Sequence, residues 1–230
     1  MDRRDGRADF AGSSLSRGNL VASTGALLKL GVITPVAMVA DVWLAQRLFP
    51  GFDPGAQFIS ELGGPAAPAP VVFNLGMMLA GIAGLFAGAG FAHALEKAGG
   101  RRQVSAFAGL WVALTGLGAF FAGAFHWPDP MHRTCGVGLA IQFAPLFTAW
   151  ALWGKPGYRR LAHFSLGWFF GLLLVLALLT GAWNIRTGTD VGLWQRGHAF
   201  LGLLWLGIAA WTLERGWRTA PATDLEAAAA

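Results

Sequence analysis

Three short motifs gather most of the side chains able to move a proton, hold a metal ion or pair with an anion. In the first, His126-Trp127-Pro128-Asp129-Pro130-Met131-His132, two imidazoles bracket a carboxylate in a turn stiffened by two prolines. Imidazole and carboxylate are metal ligands, and the same residues suit a general base held by a carboxylate. A proline-rich turn with imidazoles at the membrane surface is the purely structural alternative. The second motif is Ser60-Glu61-Leu62-Gly63, preceded by Asp53. Ser60 is a candidate nucleophile or hydrogen-bond donor and Glu61 a candidate base or ligand, although Ser also suits a helix cap. The third is Trp194-Gln195-Arg196-Gly197-His198. The planar guanidinium of Arg196 suits a carboxylate or a lipid phosphate, and snorkelling at a helix end is its plainer use.

These motifs fall between long apolar stretches at roughly 24–48, 71–94, 104–125, 134–153, 161–183 and 193–213. Each is near the roughly 20 residues a helix needs to cross a ~30 Å hydrocarbon core. Charged residues make up 13% of the chain, about half the share of a soluble domain, so a soluble fold is excluded. The expected fold is an all-α integral membrane protein, a bundle of six transmembrane helices. Residues 1–23 form an N-terminal tail, 24–215 the membrane domain and 216–230 a second tail. The closing Asp224-Leu225-Glu226 and four alanines read as a vector remnant outside the functional argument.

The joints alternate in character. The first, third and fifth hold Asp53, Ser60, Glu61, His126, Asp129, His132, Asn184, Gln195, Arg196 and His198. The second and fourth hold Lys97, Arg101, Arg102, Lys155, Arg159 and Arg160. Of the 17 Lys and Arg residues, only Arg47, Arg133, Arg186 and Arg196 fall on the polar side, and Lys29 lies within the first span. The positive-inside rule then places both termini in the cytoplasm and the three motifs on the outer face. The net charge of +5 is therefore topological and does not indicate a nucleic-acid partner. The single cysteine, Cys135, rules out an internal disulfide and reads as a packing residue. The first span is too long for a signal-peptide core and reads as a retained anchor.

Within the spans, Pro35 interrupts the first, where Asp41 is costly unless it faces the bundle or water. Gly76, Ala80, Gly84 and Gly88 form a small-residue seam on the second. Gly109, Ala113, Gly116 and Gly123 form a looser one on the third. A short interfacial helix over 57–62, stopped at Gly63-Gly64, is expected in the first joint.

Phe52-Asp53-Pro54, Ile59-Ser60-Glu61-Leu62-Gly63, Phe73-Asn74-Leu75-Gly76, the Trp127-Pro128-Asp129 turn with His132, and Gln195-Arg196 together carry a resemblance. Over about 25–215 the chain resembles the bacterial and archaeal six-span family catalogued as domain of unknown function nine-nine-eight. The resemblance implies a multi-pass protein of the cytoplasmic (inner) membrane and carries no activity. A looser, chemical likeness is to the intramembrane hydrolases related to alkaline ceramidases, which assemble Ser, Asp and three His around zinc. Six spans rather than seven, and Trp194 and Gly202 in place of a His four residues either side of His198, depart from that pattern.

Three functions follow as expectations. The first is a lipid hydrolase or transferase, metal-assisted or acid–base. It has His126, His132 and His198 on zinc, and Ser60, Glu61, Asp129 and His132 as catalytic groups. Arg196, Gln195 and Asp53 hold the membrane lipid. The second is a non-catalytic lipid-binding or assembly protein. The third is a proton- or ion-coupled transporter using Asp41, Glu61, Asp129 and Arg196, for which the nearly uncharged interiors of spans two to five offer no clear path.

Overall fold

The computed structural model describes residues 8–134, 137–182 and 189–219, with side chains over 23–132, 140–182 and 189–218. Cys135, Asn184, Arg186 and the side chain of Arg133 lie outside the described residues. The elements in chain order are α1 Ala8–Arg47, a 3-10 turn Ile59–Gly63, α2 Pro70–Lys97, α3 Arg102–Ala124 and α4 Pro130–Thr134. A second 3-10 turn Val137–Gln142, α5 Ala144–Leu152, a third turn Pro156–Tyr158, α6 Arg159–Leu179 and α7 Val191–Thr219 complete it. No strand occurs among the described residues.

Four segments are long and apolar enough to cross a membrane: Ser23–Arg47, Pro70–Lys97, Arg102–Ala124 and Pro156–Leu179. Large apolar side chains point outward along them, Val36, Leu79 and Phe170 being more than half exposed. In water such a surface would drive aggregation, whereas in a bilayer it is the solvent-facing side. The chain is an α-helical membrane bundle. α7 has 29 residues but carries Arg196, Glu214, Arg215 and Arg218, and it is not among these four segments.

The fourth apolar stretch, expected as one helix over 134–153, is divided. A 3-10 turn ends at Gln142, and α5 starts after Phe143 with Pro145 in its first turn. Proline has no N–H to donate and fits only where a helix begins, so Pro145 sets the start of α5. The expected interfacial helix of the first joint is the 3-10 turn Ile59–Gly63.

Neighbours in the bundle follow chain order: α1 packs on α2, α2 on α3, α3 on α5, α5 on α6 and α6 on α7, and α7 returns to α1. The ring closes tightly at α2–α3. A side chain on Gly88 would lie 2.5 Å from the Gly109 carbonyl oxygen, and one on Gly109 would lie 2.4 Å from that of Gly88. The small-residue seam of α2 therefore serves two partners. Gly84 and Gly88 face α3, while Gly76 meets the Asp41 carboxylate of α1.

The buried side chains form two groups. Leu28, Phe91, Val112, Leu152, Trp205 and Leu213 fill the half toward the basic joints. Val42, Ile59, Leu62, Phe73, Met77 and Ala119 fill the half toward the polar joints. The polar end of the bundle thus rests on its own apolar floor.

Candidate functional site

The second and third motifs are tied together by hydrogen bonds to the main chain. Asp53 Oδ1 accepts from the N–H groups of Gly55 (2.8 Å) and Ala56 (3.4 Å), folding the joint back on itself. Glu61 Oε1 accepts from Phe58 N at 2.8 Å and Oε2 from Gln57 Nε2 at 3.0 Å. Both carboxylates are therefore engaged locally, and Glu61 caps the turn that carries Ser60. Arg196 reaches across from α7, and its Nη1 donates to the carbonyls of Pro54 (2.7 Å), Gln57 (2.8 Å) and Gly192 (3.1 Å). The side chain is 8% exposed, and its guanidinium carbon lies 5.3 Å from the centre of the Phe52 ring. Its Nε and Nη2 are buried with no hydrogen-bond partner among the described residues. Gln195 completes the join, its Oε1 accepting from Ile59 N at 2.7 Å.

The His126–His132 motif joins through Trp127, whose ring lies 5.8 Å from Phe58. Glu61, Trp127 and Pro128 share a small cleft of about 200 Å³. The Trp127–Pro128 peptide is cis. Asp129 Oδ1 accepts from Met131 N at 2.7 Å, opening α4. His132 Nδ1 lies 2.6 Å from the Phe125 carbonyl oxygen. A carbonyl can only accept, so Nδ1 carries the proton and the Nε2 lone pair of the neutral ring is left for other work.

Ser60, Thr115, His132, Gln195 and His198 line one cavity of about 280 Å³, whose remaining wall is apolar and includes Met38, Phe73, Leu179 and Leu203. Apart from Thr115 of α3, its polar groups come from the three motifs, and its apolar walls come from α1, α2, α3, α6 and α7, with Ile59 and Ile141 from the first two 3-10 turns. His198 is 4% exposed, and its Nε2 sits 3.3 Å from Gln142 Oε1. The amide nitrogen of Gln142 donates to the Phe169 carbonyl at 3.2 Å, which turns its oxygen toward the imidazole. His198 therefore donates from Nε2 and keeps its lone pair on Nδ1.

Of the residues singled out in the sequence, Ser60, His132, Gln195 and His198 meet in the cavity. Glu61 lines the neighbouring cleft. Arg196 is buried beside the joint it holds, and Asp53 sits in an exposed turn. Asp129 stays on its turn, and His126 is exposed, its Nδ1 3.3 Å from the Trp127 carbonyl. Among the described residues no three His, Cys, Asp or Glu side chains are grouped so as to hold a metal ion. His126, His132 and His198 are thus not gathered into one ligand set.

Two participants escaped the sequence reading. Thr115 stands in the third apolar stretch and donates to Trp111 O at 2.8 Å. Gln142, 2% exposed, orients His198. Their signal was a single polar residue inside an apolar run.

No curated protein and no solved structure matches the chain. Residues 32–212 match the family described as protein of unknown function (DUF998), an interval that runs from α1 to α7 and takes in every residue of the cavity. The chain is a member of the DUF998 family.

Proposed function

We propose that this chain is a six-span protein of the bacterial or archaeal inner membrane, with both termini cytoplasmic and the cavity at its outer end. Arg101, Arg102, Lys155, Arg159 and Arg160 support that orientation, since they cluster at the opposite end from the three polar motifs. We propose further that the cavity takes part of a membrane lipid and acts on it by acid–base hydrolysis or acyl transfer. One observation carries this reading: Ser60, His132 and Gln195 line the same apolar-walled cavity.

His132, with its proton on Nδ1, is the base, and Ser60 supplies the hydroxyl. The Ser60 proton passes to His132 Nε2 as Oγ bonds to a carbonyl carbon of the lipid. The leaving alkoxide takes that proton from His132 and departs as an alcohol. Water repeats the sequence, releasing the acid and restoring Ser60. Gln195 Oε1 is occupied by Ile59 N, so its amide N–H groups are the ones available to the substrate oxygen.

An alkyl fluorophosphonate tests this in the reconstituted protein. Ser60 should become labelled, Ser60→Ala should remain unlabelled, and His132→Gln should label at least ~100-fold more slowly. Absent labelling, in protein that still retains lipid, leaves the non-catalytic lipid-binding reading. A specific observation favours that second reading: the Nδ1 partner of His132 is a carbonyl, and Glu61 and Asp53 are occupied in the joint. The zinc form returns only if zinc raises the melting temperature of the wild type but not of His132→Ala/His198→Ala.

A further inference from the structure

Along the lipid-facing side, α1 and α7 leave a furrow of about 790 Å³, within the ~300–1,000 Å³ typical of ligand sites. Pro35, Val36 and Trp43 form one wall, and Leu204, Gly207 and Trp211 form the other. No charged, hydroxyl or amide side chain lines it.

The furrow has the length of a single leaflet. From Val32 to Trp43 on α1, and from Phe200 to Trp211 on α7, the helical rise gives ~16 Å, about half of a ~30 Å hydrocarbon core. Within Ser23–Arg47 this stretch starts near the middle of the helix and runs toward the polar end. A cation stands above it there. Arg47 is exposed, and its guanidinium lies 5.4 Å from the centre of the Trp43 ring, one helical turn beyond the furrow. An indole at the mouth with a guanidinium over it matches the level where an acyl chain meets its phosphate.

The furrow also adjoins the cavity. Leu203 lines both, so one side chain separates an acyl chain in the furrow from the space holding Ser60 and His132.

We propose that the α1–α7 furrow is a phospholipid site: one acyl chain of the leaflet at the polar end lies along it, with the phosphate on Arg47. The use of this lipid in the cavity rests on the reading above, while its occupation of the furrow does not.

The test is the full chain in phosphatidylcholine nanodiscs containing a trace of phospholipid with a diazirine in its acyl chain. After illumination, adducts should concentrate several-fold on 32–43 and 200–211 over equally exposed surface at Leu79, Phe86 and Phe170. Val36→Trp or Leu204→Trp, both at exposed positions, should remove that excess while leaving the melting temperature within a few degrees. Arg47→Gln should weaken labelling by the phospholipid about fivefold, the weight of one cation beside a phosphate, and spare labelling by a diacylglycerol with the same chains. Adducts spread evenly around the bundle would overturn the site. So would a disulfide between two copies of Val36→Cys with the furrow unlabelled, since a second copy would then cover it. Furrow labelling unchanged in Ser60→Ala and His132→Ala supports the site even if the fluorophosphonate reaction fails.

Discussion

Arg196 holds three carbonyls through Nη1 while its flat guanidinium lies against the Phe52 ring, and a lysine ammonium can copy the first of these but not the second. A guanidinium hydrogen bond contributes more than a neutral one, and removing it leaves buried carbonyls unpaired. Arg196→Ala should therefore lower stability by about 2–4 kcal/mol. Arg196→Lys should recover only part of that loss. Thermal unfolding in detergent reads the first effect. Faster proteolysis within 52–58, the loop that Arg196 holds, separates it from a general loss of fold. At this scale the sequence was partly legible. Ser60, His132, Gln195 and His198 stood out as polar groups beside apolar runs, and the cavity contains them. The work of Asp53 and Glu61 was not legible, because a carboxylate that binds its own neighbouring N–H groups looks the same in sequence as one aimed at a substrate. Thr115 and Gln142 were hidden for another reason. A lone hydroxyl or amide in an apolar helix commonly satisfies its own backbone, as Thr115 does with Trp111 O, and only the tertiary arrangement brings Thr115 to the cavity wall and turns Gln142 toward an imidazole.

Helix packing divides into contacts that depend on small residues and contacts that tolerate change. At α2–α3 the backbones touch through Gly88 and Gly109, whereas an added side-chain carbon at Gly171 on α6 would meet nothing within 4 Å. Gly88→Leu should push the two helices apart and cost more than the ~1–3 kcal/mol of ordinary overpacking, because rigid backbone is what it strikes. Gly171→Ala should be neutral or add up to ~1 kcal/mol through helix propensity. Paired melting curves check both. The seam on α2 was readable from its spacing of four, but its division between α1 and α3 was not, since spacing gives a face and not the partner. The fourth apolar stretch, expected as one helix, is broken because hydropathy averages over Pro145 while the backbone obeys it.

Across the whole molecule, the closed ring of helices keeps the polar joints at one end and the basic joints at the other. A cysteine placed at Gln57 should react with an impermeant maleimide added to intact cells from outside, and one placed at Gly157 only after the membrane is opened. The reverse pattern would turn the bundle over and put the Ser60–His132 cavity in the cytoplasm.

The division of the fourth apolar stretch also bears on water. Where the 3-10 turn gives way to α5 at Phe143, the first turn of the new helix leaves main-chain N–H groups without intrahelical partners. Backbone of that kind is tolerated in a membrane only inside protein or beside water. The break lies next to Gln142, whose amide orients His198. A wall of irregular backbone gives the cavity a place to hold water, with no moving part in the protein.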